Sequence, residues 1–187
     1  MVDYDFEIKF WGDCCNTFSE DQKHFIYGNL MGLTGGTFQF AYNANNKRIL
    51  DVGGGPSSLL LKTHNLKQGK VCDPIDYPQW TKDRYAYKNV SVQVVTGEDM
   101  DESGWDEVWL YNVLEHVIDP KKIIKNCLKA GKVLRIFEWI DIPAHEGHPH
   151  TITQKDLEKW IGQKGNTTEL NGENGCYGKA FYGVFNI

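Results

Sequence analysis

Three groups of residues in this chain could do chemistry. The first is KRILDVGGGPSSLLLK, Lys47 to Lys62, where an apolar run ends in an acid and opens into three glycines. Gly53 and Gly55 can take positive φ and let the backbone come close to a ligand, with Gly54 between them. Asp51 stands two residues before Gly53, and Asp73 stands 22 residues after Asp51, at the end of KVCD. An acid at the tip of a second strand can accept both hydrogen bonds of a ribose diol. Glycines alone also make an ordinary strand-to-helix turn, so the two acids carry the ligand reading. The second group is Glu115 and His116, in "LEH". The third is "AHEGHPH", with His145, Glu146, His148 and His150.

An alternation of strands and helices positions these groups. RILDV is a short apolar run and reads as a buried strand. PSSLLLKTHN follows as a helix, with Pro56 at its first position, where a missing N–H costs nothing. Such a helix start offers free N–H groups and a positive dipole end to an anionic or polar group. KVCD, SVQVV, DEVWLYNV and KVLRIFEWI read as further strands. DPKKIIKNCLKAG is a helix capped by Asp119, with Pro120 just inside and Gly131 as the stop. TQKDLEKWIG is a helix with a Thr153–Asp156 capping box, and the last stretch reads as a Gly/Asn-turned hairpin. Near the N-terminus, Ser19 and Gln22 sit at capping-box spacing ahead of a helix running to Gly32, with Phe25, Ile26, Leu30 and Met31 on one face. TGGTFQFAYNANN then reads as a loop. Alternating elements of this kind imply a parallel sheet with helices on both faces, and ligands at the carboxyl ends of the strands.

Composition narrows the partners. The chain has 187 residues, 41% apolar and 24% charged, which suits one ordinary globular core. A net charge of −5 argues against a nucleic-acid partner, because phosphate backbones need a basic face. No apolar run approaches the ~20 residues needed to span a bilayer, so no membrane association is expected. The acidic N-terminus lacks the order of a signal peptide, which makes a cytoplasmic location the expectation. Five cysteines without a CxxC spacing read as free thiols.

The turn discriminates between nucleotide cofactors. The dinucleotide fingerprint needs a third glycine, and Ser58 occupies that position. A nicotinamide-dependent oxidoreductase is therefore the weaker alternative. The absence of a Tyr-x-x-x-Lys pair counts against it as well, since YAYK, Tyr85 to Lys88, spaces its lysine one residue short. The pattern D-x-G-x-G resembles instead motif I of the class I S-adenosylmethionine-dependent methyltransferases. VCDP and VVTGEDM resemble the segments after that family's second and third strands. DEVWLYNVLEHVIDP resembles the fourth motif of its small-molecule, type 11-like branch. The resemblance spans roughly residues 47–140.

The resemblance implies a single-domain Rossmann-like α/β fold. Its mostly parallel seven-stranded sheet would have the order 3-2-1-4-5-7-6, with helices on both faces and a C-terminal antiparallel hairpin. Residues 1–46 would be an N-terminal helical or lid segment, and residues 47–187 the cofactor-binding core. The implied cofactor is S-adenosyl-L-methionine, with S-adenosyl-L-homocysteine as product. Asp51 and the glycine turn would lie beside its methionine half, Asp73 and Pro74 at the ribose, and Glu98, Asp99 and Met100 at the adenine. Asn112 and Val113, after the fourth strand, complete the set. Ser57 stands where many members have glycine and could donate to the cofactor carboxylate.

The implied reaction is methyl transfer to a small-molecule acceptor, at oxygen or nitrogen rather than carbon. The fourth strand lacks the Pro-Pro-aromatic run of base-amine methylating enzymes, and the chain has no Pro-Cys pair. Transfer from a sulfonium asks the protein mainly to position two reactants and to remove a proton where needed. His116 is the first candidate base, because it follows the fourth strand. The alternative is that Glu115 and His116 only fix the loop. His148 and His150 are further candidates for a base or an acceptor contact. The AHEGHPH histidines and Glu146 could bind a metal, but their irregular spacing on a loop leaves no metal expected. Glu138 and Trp139 end the fifth strand on the acceptor side, with Trp139 equally suited to the core. Phe10, Trp11 and Tyr27 could form a lid, or simply pack on the sheet. The competing functional reading is a domain that binds this cofactor or its product without catalysis.

Overall fold

The computed structural model describes residues 5–33 and 41–187. Seven strands form its main sheet: β1 (Arg48–Val52), β2 (Gln68–Asp73), β3 (Val90–Val94), β4 (Glu107–Tyr111), β5 (Val133–Trp139), β6 (Asn166–Asn171) and β7 (Tyr177–Asn186). They lie in the order β3-β2-β1-β4-β5-β7-β6. The first five are parallel, and β7 runs antiparallel to both β5 and β6. The order reverses between β1 and β4, so their carboxyl ends open a crevice. A detail outside the expected sheet is a separate two-stranded parallel pairing of Tyr42–Asn43 with Thr63–His64.

Alternate strand residues divide between two cores, as a pleated sheet requires. Leu50, Val108, Leu110, Leu134 and Ile136 meet α4 (Pro120–Ala130) and α5 (Gln154–Ile161) on one face. On the other face Ile49, Val71, Trp109 and Phe137 meet α2 (Phe18–Leu30) and Tyr85 of α3 (Gln79–Tyr87). Helices thus cover both faces. Asp119 caps α4 by accepting the Lys122 N–H, and Thr153 and Asp156 form the expected capping box on α5. Among the described residues no helix is long and apolar enough to cross a membrane. All five cysteines are free.

Three local expectations need correction. No α-helix begins at Pro56: the segment after the glycines forms only a short 3-10 turn, Leu59–Lys62, capped by Ser58. Leu59 and Leu60 are both fully buried, and a strand follows at Thr63, so the segment is consumed as core filling before a helix can propagate. The Ser19–Gln22 capping box does not form either. Thr17 occupies the N-cap of α2 without a side-chain cap, and its hydroxyl donates to Asp21 instead. Of the expected face, Ile26 and Met31 are buried while Phe25 and Leu30 only pack partly buried against the same core; the buried face also takes in Glu20, His24, Tyr27 and Gly28. The loop read into residues 34–40 lies outside the described residues.

Candidate functional site

A cavity of about 380 Å³ opens at the carboxyl ends of β1, β2 and β4, within the size range of small-molecule sites. Gly53, Gly54 and Gly55 form its floor, and Ser57, Asp73, Pro74, Glu98, Asn112, Val113, His116 and His148 line it. The turn needs its glycines. Gly53 has φ +74°, and a β-carbon there would stand 2.5 Å from a Val113 methyl. The turn is thus packed against the loop after β4 as well as open to the cavity.

Asp73 ends β2 with one oxygen accepting the Gly55 N–H and the other the Ile75 N–H, both at 3.0 Å. Burial pushes its carboxyl up to about 6, against these two backbone bonds, which favour the charged form. A carboxylate has room for further donors, and the Tyr77 hydroxyl already takes one of these places.

Asp51 is placed differently from the expectation. It is fully buried behind the turn and does not line the cavity. Its Oδ2 accepts from Ser58 Oγ at 2.5 Å and Tyr111 Oη at 2.6 Å, while its Oδ1 is buried without a partner. Burial pushes its pKa up to about 7 despite both bonds. Asp51 therefore braces the glycine turn from below. Ser57 reaches the cavity edge, but its hydroxyl donates to Asp21 at 2.7 Å.

At the adenine-side segment the three expected residues separate. Glu98 lines the cavity: its Oε1 accepts the N–H groups of Ile118 and Asp119, and its Oε2 is buried without a hydrogen-bond partner. Asp99 lies at the surface, paired with Lys122, and Met100 is buried in the core facing α4. Neither lines the cavity. Glu98, Asp99 and Met100 follow one another through a turn, so their side chains leave in different directions, which the sequence alone does not show.

The loop after β4 is held by a buried acid. Glu138 accepts the N–H groups of Val113 and Leu114, and burial, followed by the nearby Glu115, raises its pKa well above the ordinary value. Glu138 thus supports the loop from the core and does not face an acceptor; Trp139 beside it does line the cavity. Asn112 lines the cavity in the left-handed region, at φ +55°.

The histidines do not gather as the AHEGHPH run suggested. His150 bonds the Val117 carbonyl at 2.6 Å and does not line the cavity, which removes it from the candidate bases. His145 meets His148 with its ring tilted at 38° and bonds the Glu146 carbonyl. His148 instead meets His116 edge-on, with ring centroids 4.3 Å apart, beside Glu115. Burial, with His116 next to it, lowers the His148 pKa to about 4. Burial also works against charging His116, but the Glu7 carboxylate outweighs it and the pKa is raised.

Phe6, Glu7, Phe10 and Trp11, from α1 (Asp5–Trp11), also line the cavity, whereas Tyr27 is a core residue stacked on Phe137. Glu20, Lys23 and His24 of α2 and Tyr111 of β4 line it too, and sequence reasoning missed them as site residues. The i, i+3 spacing of Glu20 and Lys23, which form a 3.0 Å ion pair, was a visible signal. Nothing local marked His24 or Tyr111.

No protein-family profile matches the chain, and no curated protein matches it. Solved structures do. A chain from a complex of the Haloferax volcanii Trm112 methyltransferase activator superposes with TM-score 0.67 at 13% identity, over 98% of this chain and 96% of that one. Magnesium protoporphyrin IX methyltransferase from Synechocystis PCC 6803, solved with bound S-adenosylmethionine, gives 0.61 at 14% identity, over 96% and 89%. A methyltransferase from Aquifex aeolicus, described as dependent on the same cofactor, gives 0.59 at 16% identity, over 96% and 97%. The chain has the fold of the class I methyltransferases.

Proposed function

We propose that this protein binds S-adenosylmethionine in the cavity and transfers its methyl group to a small-molecule acceptor. The observation that carries the reading is the pair Asp73 and Glu98. Asp73 is pre-oriented by two backbone bonds at the tip of β2, and Glu98 keeps a buried oxygen without a partner in the same cavity. The first, which the Tyr77 hydroxyl occupies here, suits a ribose diol, and the second suits an exocyclic amine, because it is a buried acceptor without a donor. Glu7, Glu20 and Glu115 add acids to the lining, against Lys23, which suits a cationic ligand better than a pyrophosphate. Asp99, Met100 and Asp51 have no direct part in this proposal.

When bound, the sulfonium supplies an activated methyl group, so the chain's own work is positioning. The glycine turn brings backbone to the ligand, Asp73 and Glu98 set its orientation, and Phe10 and Trp11 line the cavity from α1. His116 stands beyond the loop after β4, on the side left for an acceptor.

Incubation with methyl-labelled S-adenosylmethionine across phenols, alcohols and amines tests the reading. Label is expected in at least one acceptor and is lost with Asp73→Ala. Tight cofactor binding with no labelled acceptor would overturn the catalytic half and favour a binding domain. The Haloferax structure comes from an activator complex, which makes a protein activator a second proposal. A gain in mass on mixing with a Trm112-type protein would support it, and two separate masses would not.

A further inference from the structure

Three metal-type donors meet where the loop after β4 faces the loop after β5. Glu115 Oε1 lies 3.6 Å from His116 Nε2 and 3.7 Å from His148 Nδ1. One ligand atom from each of the three residues lies within 4.8 Å of the others, and all three residues line the cavity. These separations are too long for hydrogen bonds. The two Glu115 separations are within a few tenths of an ångström of the spacing around a tetrahedral zinc, where bonds of about 2.0–2.1 Å put ligand atoms about 3.3 Å apart.

The surroundings complete the pattern. His116 Nδ1 is 3.1 Å from Glu7 Oε1 and 3.1 Å from the Gly147 carbonyl. A proton on Nδ1 serves both acceptors and leaves the Nε2 lone pair toward Glu115. Metal-bound imidazoles are commonly held in this way, by a carboxylate or carbonyl on the other nitrogen. His148 Nδ1 is buried without a hydrogen-bond partner. Leaving such an atom buried and unpaired is unfavourable, and ligation removes that cost. Mg²⁺ and Ca²⁺ prefer all-oxygen ligands, so a set of two imidazoles and one carboxylate points to a transition metal or zinc.

We propose that Glu115, His116 and His148 bind one divalent cation of the zinc type, with its remaining position open to the cavity. An acceptor presenting an oxygen, such as a phenol, alcohol or carboxylate, would fill that position. This role toward an acceptor rests on the methyl-transfer reading; the metal site itself does not.

The test uses untagged, metal-stripped protein titrated with Zn²⁺ against a chromogenic chelator, and with Co²⁺ followed by its visible absorption. One equivalent of each is expected, with a Co²⁺ spectrum of four- or five-coordination. Glu115→Gln and His148→Ala should each abolish stoichiometric binding, and Glu7→Gln should weaken it about 10–100-fold. His145→Ala, which removes only the tilted neighbouring ring, should leave it unchanged. Thermal melts establish that the variants fold, with the near-isosteric Glu115→Gln as the safeguard. No uptake by the folded parent, or uptake untouched by both ligand variants, would overturn the proposal. Titration of the same samples with S-adenosylhomocysteine separates the two ideas. Zinc bound without the nucleoside upholds the metal site and defeats the cofactor reading, and the reverse result defeats only the metal site.

Discussion

Asp73 and Asp51 show how the same residue type takes two roles a few ångströms apart. Both are acids at strand ends, and both were legible in the sequence as acids at the right spacing. Their roles were not, because burial and partners decide them. Asp73 faces the cavity, so Asp73→Ala should weaken S-adenosylhomocysteine binding by one charge-assisted pair, about 1.5–3 kcal/mol, or roughly 10–150-fold by calorimetry. Asp51 faces inward, so its effect should appear in stability. Burial pushes its pKa up to about 7 in the fold, from an ordinary value of about 3.9 in the unfolded chain. Between those values the folded protein holds a proton that the unfolded chain has lost. This contribution, on the order of 4 kcal/mol, is fully present below about pH 4 and is lost as pH rises through about 7. Asp51→Asn should flatten that part of the stability–pH profile measured by urea unfolding. An unchanged slope would mean that Asp51 is charged in the fold.

At the scale of elements, the informative departure lies after β1. A proline followed by serines and leucines reads as a helix start, yet the chain spends Leu59 and Leu60 in the core and makes only a short turn. Local capping signals compete with the burial demand of neighbouring elements, and here burial wins. The same signals were decisive at α4 and α5, whose apolar faces and caps agree. Ser58 is the hinge of the shortened segment: it caps the turn through Leu60 and donates to Asp51. Ser58→Ala should therefore cost about 1–2 kcal/mol in chemical denaturation, as the loss of a cap commonly does. Ile124→Ala, in the fully buried face of α4, should cost about 2–5 kcal/mol and leave cofactor affinity unchanged. A loss of binding in that variant, with the fold intact, would show that α4 reaches the site. Gly53→Ala belongs at this scale too. Its β-carbon would strike Val113, so the variant should lower the melting temperature whether or not a ligand is present.

For the whole molecule, the alternation of strands and helices and the glycine turn were enough to read a parallel α/β sheet with a site at its carboxyl edge, while the order of its strands came from the family resemblance. Five parallel strands and a closing hairpin leave one reversal of order, and both acids and all three glycines fall at it. The rest of the site was hidden because it is built from residues distant in sequence. Glu7 and Glu20 come from the first two helices, while Glu115, His116 and His148 converge across two loops. No spacing along the chain records such contacts. His145, His148 and His150 looked like one cluster; His145 and His148 do stay together, bridged through their backbones, while His150 turns away to the Val117 carbonyl. The central claim concerns the cavity as a nucleoside site, and calorimetric titration with S-adenosylmethionine, S-adenosylhomocysteine and NAD tests it most directly. The account predicts micromolar binding of the first two, weakened by Asp73→Ala and by Glu98→Gln, and no heat with NAD. Binding of NAD, or affinity for the sulfonium cofactor indifferent to both substitutions, would contradict it.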